Sequence, residues 1–103
     1  MIQIGTSSVA YSPFLKNAAM LGFGMYQHTM QEPGTLHVRA FVLENETQKI
    51  CIVNAELGFI TLALHQAVLN ELKAKYPQFG LSEKNLVITA QHTHSAPGGF
   101  SYY

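Results

Sequence analysis

Near the end of the chain two histidines stand either side of a threonine, in Gln91-His92-Thr93-His94-Ser95. In extended chain, residues i and i+2 point the same way, so both imidazoles can face one ion. Neutral imidazole is a common zinc ligand. Thr93 then points away, into packing or a hydrogen bond. The turn that follows, Ala96-Pro97-Gly98-Gly99, lets the backbone bend sharply and approach a ligand closely. His-x-His by itself leaves three readings open: a metal site, a loop that happens to hold histidines, or part of a site whose other donors lie elsewhere.

Two metal patterns do not fit. Metallo-β-lactamase-type sites continue His-x-His-x-Asp-His, whereas Ser95, Ala96 and Pro97 follow His94. Amidohydrolase barrels carry the pair on an early strand with a long barrel after it, and here the sequence runs only to Tyr103. Aspartate, the commonest Mg²⁺ and Ca²⁺ ligand, is absent, and all six acidic residues are Glu. Among the remaining candidates, Glu56 follows an apolar run and has a choice of roles: orienting a ligand, sitting as a charge at a helix N-terminus, or being solvated. A structural or ligand-supporting role is favoured. His65 falls on an apolar helix stripe and reads as a core or boundary residue. His37 opens a strand beside Arg39 and reads as structural. His28, in a glycine-rich loop, faces either the site or solvent. Cys51 sits in the apolar run Lys49–Ala55, KICIVNA, and reads as a small buried hydrophobe.

The elements that must position the histidines are legible from His37 onward. His37–Glu44 is rich in β-branched and aromatic residues and reads as a strand, with a polar turn at Asn45–Gln48 and a second strand at Lys49–Glu56. The run Ile50–Ala55 suggests burial on both faces and predicts a central strand. Leu62, His65, Val68, Leu69, Leu72 and Tyr76 recur at helical spacing, so Thr61–Tyr76 is predicted as a helix, stopped by Pro77 and Gly80. Asn85–Ala90 is a short apolar strand. A helix between two buried strands predicts a right-handed crossover and a parallel pair. The fold class is therefore α/β: a mixed sheet with a β-hairpin followed by a strand–helix–strand unit. Parallel strands end at one sheet edge, and ligands bind outside those ends. Glu56 and the two histidines are thus expected on one rim. Upstream, Ile2–Gly5 is a candidate short strand. Residues 6–36, punctuated by Pro13, Gly22, Gly24, Pro33 and Gly34, read as irregular, with a helix-like apolar patch around Phe14–Leu21.

Composition bounds the rest. The chain has 103 residues, 48% hydrophobic and 12% charged, which suits one folded domain or a piece of a larger one. Lys and Arg balance the acids at zero formal net charge with no basic stripe, so a nucleic-acid partner is not expected. A single cysteine excludes an internal disulfide. No signal-peptide pattern opens the chain, and no apolar run approaches the roughly 20 residues of a membrane-spanning helix. The chain is expected in the cytoplasm if Met1 is its native start.

The stretch Thr89–Tyr103, TAQHTHSAPGGFSYY, resembles the motif of neutral/alkaline (non-lysosomal) ceramidases, Gly-Thr-His-Thr-His-Ser-Gly-Pro-Gly-Gly followed by aromatic residues. LHVRAFVLE is similar to that family's Arg-Ala-Phe strand, and CIVNAELGF to its Phe-Val-Asn-x-Asp strand end. AVLNELKAKYPQFGLSEKNLVITA is similar to the helix and strand before the motif, and MLGFGM to an early Met-Met-Gly-Tyr turn. The resemblance implies a zinc-dependent amidase that splits the N-acyl bond of ceramide into sphingosine and a fatty acid. It implies that His92 is a zinc ligand, that His94 is catalytic beside metal and substrate, and that Gly98 and Gly99 shape the pocket wall. Glu56 stands where the family has Asp, and Ala96 where it has Gly. Family members are several times longer, and their other zinc ligands (a His, a Glu and a Tyr) lie beyond the matching region. Residues 1–103 are therefore expected to be an N-terminal segment of such a catalytic domain, with an unpaired sheet edge and an uncovered apolar face. The alternative is a non-catalytic remnant that binds metal or oligomerises through that edge. Members of the family are often secreted or membrane-associated.

Overall fold

A computed structural model describes residues 1–13, 16–20, 29–31 and 34–98. Four strands, β1 (Gln3–Tyr11), β2 (Leu36–Glu44), β3 (Lys49–Ala55) and β4 (Leu86–Ala90), form one sheet in that order, with helix α1 (Leu62–Lys75) between β3 and β4. β1–β2 and β2–β3 pair antiparallel. β3 and β4 pair parallel, with Cys51 opposite Leu86 and Ala55 opposite Ala90. The expected hairpin and parallel strand–helix–strand unit are both present.

Local chemistry fixes each connection. In the hairpin, the Asn45 side-chain oxygen accepts from the Thr47 and Gln48 amides at 2.9 and 2.8 Å, closing an Asx turn. Thr61 caps α1, its hydroxyl accepting from the Leu64 amide at 3.1 Å. After α1, Pro77–Phe79 forms one 3₁₀ turn that ends at Gly80 in the left-handed region, φ 64°. Asn85 then accepts from the Ser82 amide at 2.7 Å and donates to Gly80 O at 3.0 Å. The Cys51 amide bonds to Asn85 O, which sets the β3–β4 register at its first residue.

The core lies between α1 and one face of the sheet: Leu69, at 1% exposure, meets Cys51 and Leu86, flanked by Val42, Val53, Leu72, Leu81 and Ile88. Side chains alternate across a strand, so Ile4, Phe41, Ile50 and Val87 fall on the opposite face, and all four are exposed. β1 and β4 each have one partner in this sheet. The uncovered apolar face and open edges expected from the sequence are thus present among the described residues.

Three expectations need correction. The first strand is not confined to residues 2–5 but runs to Tyr11, and its first eight residues, Gln3–Ala10, are all exposed. With neither face buried, Thr6-Ser7-Ser8 had no reason to alternate with apolar residues, so the strand left no period-2 signal. The helix-like patch is not a helix where it is described: Lys16 and Asn17 form a turn, Asn17 has φ 68°, and Ala19 and Met20 make β-bridges to Thr29 and Pro97. Phe14, Leu15 and Leu21 lie outside the described residues, as does most of MLGFGM. Finally, the ends of the α1 stripe are not core: Leu62 is 76% and Tyr76 45% exposed, because only the middle of α1 sits over β3 and β4.

Candidate functional site

The carboxyl ends of β3 and β4 lie side by side, and β2 runs antiparallel to β3, so its first residues reach the same rim. Beyond Ala90 the chain leaves β4 by a sequence of hydrogen bonds to the segment after β3. The Gln91 amide donates to Ala55 O and the His92 amide to Leu57 O, both at 2.9 Å. His92 adopts φ 72°, a left-handed conformation that costs a non-glycine residue about 1–2 kcal/mol. The expectation of an extended His-x-His therefore does not hold. The turn still brings the rings together: His92 and His94 lie 5.0 Å apart, edge to face. Thr93 is turned to a local hydrogen bond, its hydroxyl accepting from the Ser95 amide at 3.2 Å.

The His92 ring is itself oriented. Nδ1 lies 2.6 Å from Gly58 O. A carbonyl oxygen only accepts, so Nδ1 is the donor, which in the neutral form of an imidazole leaves the lone pair on Nε2. That is the arrangement metal-ligating histidines use, with one ring nitrogen donating to a backbone carbonyl and the other binding the ion. The donor chemistry of His92 fits zinc. Among the described residues no third His, Cys or carboxylate gathers with the pair, so these two side chains could furnish part of a coordination shell.

Glu56, the first residue past β3, directs its bonds to β1 and β2 and not to the His92 ring. Its carboxylate, 13% exposed, accepts from Arg39 Nη1 at 3.3 Å and lies 3.2 Å from His37 Nδ1. Its amide donates to His37 O at 3.0 Å, and its carbonyl accepts from the Tyr11 hydroxyl at 2.7 Å. Burial, and then the nearby Glu56 carboxylate, push the Tyr11 phenol above its ordinary value, keeping it a donor. Tyr11 and Arg39 were missed as rim residues. The signal for Arg39 was its place as the fourth residue of β2, opposite Asn54; Tyr11 had none, because β1 was not foreseen to reach it. His65 is a structural hook, with Nε2 donating to Leu86 O at 3.0 Å.

Gly98 holds the turn after the histidines in place: its amide donates to Ala19 O at 2.8 Å while Pro97 bridges Met20 and Ala96 is fully buried. An open cleft of about 450 Å³ lies beside this turn, with Met20, Met30, Leu36 and Ser95 among its lining residues. Gly99 and His28 lie outside the described residues.

The comparisons with known proteins bear on this rim. The family model described as neutral/alkaline non-lysosomal ceramidase, N-terminal, matches residues 3–103. The chain belongs to the neutral/alkaline non-lysosomal ceramidase family. Among its ceramidase relatives, it is 42% identical over 92 residues to the neutral ceramidase of Pseudomonas aeruginosa, covering 84% of this chain and 14% of that protein. It is 32% identical to the neutral ceramidase of Mycobacterium tuberculosis, covering 100% of this chain and 17% of that protein. The crystal structure of the Pseudomonas aeruginosa neutral ceramidase superposes with a TM-score of 0.82 at 34% identity, over 99% of this chain and 16% of that one. The lower identity in the superposition goes with its wider coverage of the chain. This ceramidase-family chain thus spans about a seventh to a sixth of the length of these two relatives.

Proposed function

We propose that residues 1–103 form the N-terminal segment of a ceramidase-type catalytic domain and contribute His92 and His94 to a zinc-dependent amidohydrolase. The substrate class is ceramide or a related N-acyl lipid. Family membership supports hydrolysis of ceramide. The observation that carries the reading is the His92 ring: pinned through Nδ1 to Gly58 O, it presents Nε2 at the rim where the parallel strands end.

His92 would hold the metal through Nε2, with its rotamer and tautomer set before any ion arrives. When bound, zinc would polarise the amide carbonyl or lower the pKa of a water. His94, its ring centroid 5.0 Å from that of His92, would accept or donate a proton at the reacting amide. The wall made by Ala96–Gly98 is fixed to Ala19 and Met20, and the cleft beside it carries methionine and leucine side chains suited to an aliphatic chain. In the full-length protein, His92→Ala should lose zinc together with activity, whereas His94→Ala should lose activity and retain part of the zinc. Full zinc occupancy in the His92 variant, read by elemental analysis, would refute the ligand assignment.

A further inference from the structure

The lock on His92 is made of backbone, and backbone carbonyls must themselves be held. Ala55, Leu57 and Gly58, whose oxygens receive the Gln91 amide, the His92 amide and His92 Nδ1, belong to one four-residue segment centred on Glu56. That segment leaves β3 in a tight turn, with the Leu57 amide bonded to Ala55 O at 2.9 Å. Glu56 ties it to the sheet through every polar group it has: amide to His37 O, carbonyl to Tyr11, carboxylate to Arg39 and His37. These four bonds come from three residues of β1 and β2, on the side of β3 away from β4.

We infer that Glu56, clamped by Arg39, His37 and Tyr11, is a positioning residue that sets the ring orientation and tautomer of His92 through the Leu57 and Gly58 carbonyls. The Glu56 carboxylate, 13% exposed, accepts a charge-assisted bond at 3.3 Å from Arg39, whose own side chain is 50% exposed. The length of Glu56 matters, because the same residue must reach β2 while its peptide stays bonded to Tyr11. Glu56 touches neither metal nor substrate in this account; it acts through His92.

The inference rests on His92 as the ligand, but its test separates the two. The full-length protein with ¹⁵N-labelled histidine is measured without metal, and zinc affinity is measured by chelator competition. In the wild type the His92 ring should show a protonated Nδ1 and a bare Nε2. Glu56→Ala should mix the tautomers and weaken zinc binding about tenfold, the lower end for groups that support a ligand. Tyr11→Phe, which keeps the carboxylate clamp and is the milder variant should Glu56→Ala fail to fold, should weaken zinc by a smaller factor. Glu56→Gln, still able to accept from Arg39, should lie nearer the wild type than Glu56→Ala. A His92 tautomer and zinc affinity within twofold of wild type in both Glu56→Ala and Tyr11→Phe would overturn the inference, even if both variants melt earlier. If His92→Ala keeps its zinc, the ligand reading fails instead, and the metal-free tautomer still decides the role of Glu56.

Discussion

Removing the Tyr11 hydroxyl gives a prediction whose size and pH dependence both follow from the structure. In Tyr11→Phe the ring stays and one hydrogen bond is lost, the 2.7 Å donation to Glu56 O. A neutral intramolecular bond is worth about 0.5–1.5 kcal/mol net. Tyr11 is half-buried and water can reach part of the site, so about 1 kcal/mol at pH 7 is expected, read as a lower urea midpoint with unchanged slope. The pH dependence is the sharper test. The folded phenol has its pKa raised from 10.0, first by burial and then by the Glu56 charge. The unfolded chain therefore ionises first as pH rises. Tyr11 contributes its full stability below the unfolded pKa and loses it as pH climbs through the folded pKa. The difference between wild type and Tyr11→Phe cancels the other tyrosines, and it should shrink steadily above about pH 10. Denaturation at pH 7, 9, 10 and 11 measures it. A difference that stays constant or widens over that range would refute the assigned hydrogen bond and its electrostatic setting.

Two further outcomes concern the core. Leu69→Ala empties the one large side chain buried below 2% exposure among the described residues, and should cost about 2–5 kcal/mol of stability by denaturant titration. A loss below about 1 kcal/mol would mean that α1 does not sit on Cys51 and Leu86 as found. Cys51 should react slowly with a disulfide reagent at pH 8, because burial pushes its thiol above 9.0 against the smaller opposing effect of Lys49. Reaction at the rate of a free thiol in the native protein would contradict that burial.

The sequence carried the parts of this fold that obey a period. The helix boundaries came within a residue because Thr61, Pro77 and Gly80 punctuate a stripe of leucines. The parallel pair followed from two apolar runs flanking that helix, and it put Glu56, His92 and His94 at neighbouring strand ends. β1 escaped because an edge strand exposed on both faces has no burial to impose alternation. The site geometry escaped for another reason. His92 is set by its left-handed φ and by carbonyls 34 and 35 positions back in the chain, and no side-chain spacing encodes that. The same holds for Tyr11, whose bond to the Glu56 peptide spans 45 positions. Histidine identity pointed to a candidate donor; the backbone around Leu57 and Gly58 decides which ring nitrogen is engaged and which is left open.

The claim at the centre of this account is that His92 offers Nε2 to zinc at the rim of the parallel strands. Anomalous diffraction at the zinc edge from crystals of the full-length protein tests it directly. A zinc peak is expected about 2.0–2.1 Å from His92 Nε2, with Nδ1 still on Gly58 O. Zinc bound through Nδ1, or a zinc site that does not include His92, would contradict it.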